Sequence, residues 1–93
     1  MPHPKKKPRV MTYYLLTNKE TGWYFCNKST RPETSVHHLF NRANNPNRED
    51  YNSKLSQDLR AYGEEGYIIE YSIEMPSSVE RRAHYMPPRK EII

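Results

Sequence analysis

Short apolar and aromatic runs alternate with polar, turn-forming residues along this chain. The first two runs, Tyr13–Leu16 and Trp23–Cys26, are separated by "TNKETG". Aromatic runs bounded by turn residues are typical of β-strands, and Gly22 is suited to the positive φ angle of a tight connection. The pattern therefore predicts an antiparallel hairpin.

A third strand is predicted from "GYIIEYSIEM", where every second residue is a tyrosine or an isoleucine. Such alternation is typical of a strand with one face on the core and the other in solvent. The residues of the predicted core face are Tyr67, Ile69, Tyr71 and Ile73.

The apolar spacing changes to three and four residues in "TSVHHLFNRAN", which predicts a first helix. Thr34 or Ser35 is the expected N-cap, because a hydroxyl can accept a hydrogen bond from a free backbone N–H. The residues of the expected buried face are Val36, Leu39, Phe40 and Ala43.

Two further segments predict helices. "NSKLSQDLRAYG" has Leu55 and Leu59 on one face and Gly63 in the position that commonly ends a helix. "SSVERRAHYM" predicts a short last helix, begun by a Ser77–Glu80 capping box and stopped by Pro87.

The elements predict an α+β fold of order β-β-α-α-β-α, with a three-stranded antiparallel sheet flanked by helices. The expected organisation is a basic flexible arm over residues 1–11, one domain over 12–86 and a tail over 87–93. A single domain fits 93 residues, and so short a chain buries only about 60–65% of the surface that its unfolded form exposes.

Composition limits the kinds of site that the chain can build. Only 34% of its residues are hydrophobic, so the eight tyrosines are expected to supply much of the core. The single cysteine, Cys26, excludes an intramolecular disulfide and a zinc site of two or more cysteines, and it is expected to be buried. No apolar run approaches the length of a membrane span, so we expect a cytoplasmic protein.

The charge balance favours an acidic partner. The formal net charge is +4 and the isoelectric point is near 9.3, which is typical of proteins that contact phosphates. The predicted nucleic-acid-binding residues are Lys5, Lys6, Lys7, Arg9, Arg48, Asn52, Arg60, Arg81 and Arg82.

Three segments together resemble the GIY-YIG nuclease family. "TYYLLTNKETG" is similar to the opening strand and turn of that domain. "NSKLSQDLRAYGEEGYIIEYSIE" is similar to its segment of asparagine, helix, Tyr-Gly and third strand, with Asn52 at the asparagine. The predicted short helix after "EMPSS" stands where the family has its metal-binding glutamate.

The resemblance implies a phosphodiester-cleaving site, which this sequence matches in part. Tyr14 stands at the first motif tyrosine, and the second falls on Tyr24 or on Phe25, depending on the length of the turn. His38 and Arg42 stand at the arginine and histidine positions of the first helix, in reversed order. Glu80 is the candidate ligand for Mg²⁺, although another alignment puts Ala83 there.

Three functions are compatible with these residues. The first is a small, degenerate GIY-YIG-like protein of phage or mobile-element type. It would bind double-stranded DNA with impaired or lost cleavage, and would act by occupying DNA or by interfering with a rival nuclease or regulator. The second is an active, divergent Mg²⁺-dependent endonuclease. The third is an inhibitor that binds a protein partner, a rival nuclease or a host factor, through a tyrosine-rich surface.

Overall fold

A computed structural model of the protein describes residues 10–77, 79 and 82–88. It shows a small α+β domain with one antiparallel sheet and two α-helices. The strands are β1 (Thr12–Asn18), β2 (Tyr24–Ser29), β3 (Tyr67–Ser72) and β4 (Tyr85–Met86). The helices are α1 (Pro32–Ala43) and α2 (Lys54–Tyr62), with single 3₁₀ turns at Glu49–Asn52 and Glu64–Gly66. The strand order is β3-β1-β2-β4.

The predicted hairpin is confirmed, and both strands extend beyond the apolar runs. Thr17 pairs with Tyr24 at the end of the hairpin nearest the turn, and Gly22 in the turn has a φ angle of 77°. The Asn18 Oδ1 atom accepts hydrogen bonds from the backbone N–H groups of Glu20 and Thr21 at 2.9 and 3.0 Å. This buried side chain therefore closes the turn, as asparagine commonly does.

Helix α1 is confirmed, but the predicted capping residue is wrong. The helix begins at Pro32, and neither Thr34 nor Ser35 caps it. Proline is favoured at the first helical position because it has no N–H to leave unpaired and its φ angle is already helical. The Ser35 hydroxyl instead donates to Ser29 Oγ at 2.7 Å, which ties α1 to the end of β2.

Helix α2 is confirmed, and it ends at Gly63 as predicted. Ser53 caps its start by accepting a hydrogen bond from the Ser56 N–H at 3.2 Å. Gly63 ends it with a φ angle of 66° and donates to the Leu59 carbonyl at 3.0 Å. No helix in the described ranges is long and apolar enough to cross a bilayer.

The sheet separates two groups of buried side chains. We call the side that packs against α1 and α2 the helix face and the opposite side the rear face. The helix-face core contains Tyr14, Leu16, Phe25, Val36, Phe40, Ala43, Leu59 and Tyr67. The rear-face core contains Leu15, Tyr24, Cys26 and Val79. The burial of Cys26 is as predicted.

The prediction of a last helix is wrong for the described residues after Met75. These residues include a fourth strand, so the sheet has four strands instead of three. Tyr85 and Met86 pair with Phe25 and Tyr24 in antiparallel register. Ala83 has a φ angle of 62°, which is incompatible with a continuing helix, and its N–H donates to the Cys26 carbonyl. As strand residues, Tyr85 and Met86 pack on opposite faces, against the helix-face and rear-face cores respectively. Glu80, half of the predicted capping box, lies outside the described residues.

The predicted core face of β3 is correct only in its first half. Tyr67 is buried and Ile69 is partly buried, but Tyr71 is 44% exposed and Ile73 is 71% exposed. Strand β3 is at the edge of the sheet, and the packing of the helices does not extend over its far end. The alternation in the sequence identified which side of β3 faces the core, but not how much of that side the helices cover.

A chain of polar contacts anchors β4 beneath α2. The Tyr85 hydroxyl donates to Asp58 Oδ2 at 2.7 Å and lies 3.2 Å from the Tyr67 hydroxyl. Lys54 Nζ lies 3.5 Å from the same carboxylate and 4.7 Å from the centre of the Trp23 ring. The Asp58 side chain is only 14% exposed, so its negative charge depends on these partners.

We predict that Tyr85→Phe lowers the free energy of unfolding by about 1–3 kcal/mol at pH 7, because the variant leaves a largely buried carboxylate without its hydroxyl donor. Burial raises the pKa of Tyr85, and its hydrogen bonds to Tyr67 and Asp58 act in the same direction. Because the hydroxyl holds its proton more tightly in the folded state, its contribution to stability is complete below pH 10, the pKa of an unfolded tyrosine. The contribution decreases as the pH rises above about 10, where the unfolded chain loses the proton first.

The difference in stability between wild type and Tyr85→Phe should therefore shrink above pH 10, by up to about 1.4 kcal/mol per pH unit, the limit for one proton. Urea unfolding at pH 7, 9, 10 and 11 measures both quantities. If the stability difference between wild type and Tyr85→Phe is the same at every pH, the loss of stability above pH 10 does not come from this hydroxyl.

Candidate nucleic-acid interface

Tyr14 lies on the central strand β1, on the helix face of the sheet. Its side chain is only 6% exposed, and its ring centre is 6.4 Å from that of Phe25. Across the ladder Tyr14 pairs with Asn27, and the Asn27 side chain is near enough to the hydroxyl to lower its pKa. The phenol thus has a packed ring and an amide near its hydroxyl.

The surroundings of Tyr14 keep its hydroxyl protonated. Burial raises its pKa above the ordinary value of 10.0, and the nearby Cys26 thiol acts in the same direction. The positive charge of Arg42 and the nearby Asn27 side chain lower the pKa, but less than burial raises it. At neutral pH Tyr14 is therefore a hydrogen-bonding group, and a guanidinium is near enough to influence it electrostatically.

Arg42 extends from the last turn of α1 into solvent, with its side chain 52% exposed. Its nearest carboxylate is Asp50, at 4.0 Å, and Arg48 Nε lies 3.3 Å from the same carboxylate. Two arginines share one aspartate, and Glu49 lies beside it in the same 3₁₀ turn. The ion pairs are exposed and individually weak, which leaves both guanidinium groups able to turn toward a phosphate.

The structure separates the two candidates for the second motif tyrosine. Phe25 lies on the helix face with Tyr14, whereas Tyr24 is buried in the rear-face core. Adjacent strand residues point to opposite sides of a sheet, so Tyr14 and Tyr24 cannot line one site on the same face. The aromatic neighbour of Tyr14 on β2 thus carries no hydroxyl, whereas its cross-strand partner on β3, Tyr71, does.

His38 is exposed on α1, one turn before Arg42. Its neighbour His37 points elsewhere, with Nδ1 at 4.0 Å from Glu64 Oε1. The predicted pairing of His38 with Arg42 on one flank of α1 is consistent with the spacing of a helix.

Arg60 joins three parts of the fold. One guanidinium nitrogen donates to the carbonyls of Ala43 and Tyr51, at 2.6 and 2.7 Å, and the guanidinium carbon lies 3.8 Å from the centre of the Tyr51 ring. These contacts connect the end of α1 and the following 3₁₀ turn to α2. A role of Arg60 in nucleic-acid binding stays a prediction, as does that of Asn52, whose carbonyl accepts from Gln57 Nε2 at 2.8 Å.

A second basic group follows the outer side of β2. Lys28 lies in that strand, Arg31 follows it, and Arg82 precedes the residue that bonds to Cys26. The charge of Arg82 lowers the pKa of the Cys26 thiol, although burial raises it more. Lys28 alternates with Tyr24 and Cys26 along the strand and pairs with Tyr13, so it lies on the rear face, opposite to Tyr14.

Several predicted site residues lie outside the described part of the chain. They are Lys5, Lys6, Lys7, Arg9, Glu80 and Arg81. Within the described ranges, no three side chains of histidine, cysteine, aspartate or glutamate converge as a metal site would require. The role of Glu80 as a ligand of Mg²⁺ stays a prediction.

Asn27 is the residue that the sequence analysis did not assign to the site. Its position follows from the hairpin register, because pairing of Thr17 with Tyr24 puts Tyr14 opposite Asn27. Counting paired residues outward from the turn would have identified Asn27 as the partner of Tyr14. The sequence alone, however, allowed two turn lengths, and each gives a different pairing.

A scan against protein-family models and searches of curated proteins and of solved structures found no match to this chain.

Proposed function

We propose that this protein is a small, degenerate GIY-YIG-like nucleic-acid-binding protein that contacts the backbone of double-stranded DNA with the Tyr14–Arg42 side of its helix face. The observation that carries the proposal is the position of Asn27 and Arg42 near the hydroxyl of Tyr14. A phenol, an amide and a guanidinium all donate hydrogen bonds to phosphate oxygens.

The charges around this group support binding to a polyanion. Arg42 and Arg48 both pair with Asp50, and these ion pairs are exposed. Phosphate contacts of this kind supply affinity without sequence information. The protein would therefore act by occupying DNA or by interfering with a rival nuclease or regulator, in the cytoplasm of a cell such as an infected bacterium.

The side chains also support impaired cleavage. Catalysis of phosphodiester hydrolysis needs groups that orient water and stabilise the charge that develops in the transition state, and each contributes several kcal/mol. Beside Tyr14, β2 offers the apolar ring of Phe25 at the motif position, β3 offers Tyr71, and α1 offers a single arginine accompanied by His38. This set is smaller than the one implied by the family resemblance.

A binding and cleavage experiment with the full chain tests the proposal. We expect a fluorescent duplex to be bound at 50 mM salt and released by 200 mM salt, with a loss of about 10³- to 10⁵-fold in affinity if 6–10 phosphates are contacted. Supercoiled plasmid incubated with the protein and Mg²⁺ or Mn²⁺ should be retarded in a gel without being nicked.

Two results would overturn the proposal. Nicking by wild type that disappears in Tyr14→Phe would establish an active endonuclease. Plasmid that is neither retarded nor cut would exclude the DNA-binding function and leave the protein-partner function.

A further inference from the structure

The outer edge of β3 is open along the described chain. Strand β3 is the last strand of the sheet and pairs with β1 alone. Ile68 and Tyr71 are 49% and 44% exposed, and Glu70 is exposed between them. An edge of this kind is a template for another strand, and proteins usually block such edges or use them.

The hydrogen-bond register shows which backbone groups point outward from β3. The Lys19 N–H donates to the Gly66 carbonyl at 2.9 Å, so this pair is a hydrogen-bonded pair of the β1–β3 ladder. Bonded and non-bonded pairs alternate in an antiparallel ladder, so Ile68, Glu70 and Ser72 bond to β1. The N–H and C=O groups of Ile69 and Tyr71 therefore point away from the sheet.

Carboxylates border this edge on both faces. Glu70 projects from the strand on the rear face, and on the helix face the charges of Glu33 and Glu64 both act on the Tyr71 hydroxyl. Glu74 follows the end of the strand. The edge is thus acidic in a protein whose net charge is positive.

We propose that β3 binds an extended, lysine- or arginine-rich segment of a partner protein, which adds to the sheet as a fifth strand. The outward groups of Ile69 and Tyr71 would supply the main-chain hydrogen bonds. Ile68 and Tyr71 would contact apolar side chains of the segment, and the carboxylates would select its basic ones. Tyr71 is the cross-strand neighbour of Tyr14 in the β1–β3 register, so this edge adjoins the proposed DNA contact, and the carboxylates that act on Tyr71 disfavour phosphates at the edge itself.

Charge argues against a second copy of this chain as the occupant, and proline content argues against the chain's own basic segment. Two copies of this chain joined through β3 would bring Glu70 and its neighbouring carboxylates against their own duplicates, which is unfavourable. The chain's own basic segment, residues 1–9, contains Pro2, Pro4 and Pro8, which have no N–H to donate to a ladder.

The probe for the experiment is an alternating lysine–valine heptapeptide with blocked ends, added to the full chain. We expect saturable binding, with slower hydrogen exchange of the Ile69 and Tyr71 amides. The same peptide with alternate backbone nitrogens methylated should bind at least about tenfold more weakly, because it cannot complete the ladder. A glutamate–valine heptapeptide should not bind.

Protein variants separate strand addition from general attraction between charges. Glu70→Lys should weaken peptide binding about tenfold, whereas Glu49→Lys, the same charge change in the 3₁₀ turn after α1, should stay within about twofold. The proposal is overturned if the methylated and unmodified peptides bind equally, if the unmodified peptide does not bind, or if the two glutamate variants behave alike.

The free protein tests the other occupants. Protection of the Ile69 and Tyr71 amides that rises with protein concentration, in the absence of peptide, would identify a second copy as the occupant. Protection that is lost on deletion of residues 1–9 would identify the chain's own arm. Either result would overturn the proposal of a separate basic partner.

Discussion

Replacing Arg42 by glutamate is expected to weaken the binding of duplex DNA about 100-fold at 50 mM salt. The change removes one cation and puts an anion in its place, near the Tyr14 hydroxyl. Loss of a single phosphate contact lowers the slope of log affinity against log salt by about 0.9, and repulsion of the neighbouring phosphate adds to the loss. Titration of a labelled duplex at four salt concentrations gives both the affinity and the slope.

The matched control is Lys19→Glu, which makes the same charge change at the hairpin turn, where Lys19 Nζ donates to the Glu65 carbonyl at 2.7 Å. This variant should keep the wild-type slope. The Arg42–Asp50 pair is exposed and contributes only about 0–1 kcal/mol, so Arg42→Glu should remain folded, as circular dichroism can verify. Equal losses in the two variants would show that net charge alone, and not the Tyr14–Arg42 side, governs binding.

Leu16→Ala is expected to have the largest effect on stability, a loss of about 3–4 kcal/mol in the free energy of unfolding. Leu16 is fully buried on the central strand and packs in the helix-face core. Truncation removes both the transfer free energy of the missing carbons and the packing around the cavity that they leave. Because small domains have only about 5–10 kcal/mol in total, the melting temperature should fall steeply.

The control is Ile68→Ala, also on an inner position of a strand but 49% exposed. This change should cost less than about 1 kcal/mol, since most of the removed surface is already in contact with water. Urea unfolding of the two variants side by side measures the difference. Similar losses would mean that the rear side of β3 is covered in solution, which is what an occupied edge would produce.

Local sequence patterns were sufficient to predict the elements whose conformation depends only on their own residues. The hairpin depends on apolar runs and on Gly22 and Asn18 in its turn. Helix α2 depends on its Ser53 cap and on Gly63 at its end. In each case the backbone conformation follows from residues within a few positions of one another, so reading along the chain identifies it.

The candidate site was only partly predictable for the same reason. Tyr14 and Arg42 were identified by their positions along the chain, but their relation to Asn27 and Phe25 depends on the strand register. A shift of one residue in register moves every side chain to the other face of a sheet. The choice between Tyr24 and Phe25 was therefore open in the sequence, and the pairing of Leu16 with Phe25 decides which of them lies beside Tyr14.

The sequence by itself determined an α+β domain with an opening hairpin, two central helices and an alternating third strand, because the periods of its apolar residues and its turn residues act locally. Only the tertiary structure decided that residues 85 and 86 form a fourth strand instead of a helix, since both faces of β2 need covering. It also decided that β3 ends exposed at the edge of the sheet. Burial and strand order depend on contacts between residues far apart in the chain, which no local pattern records.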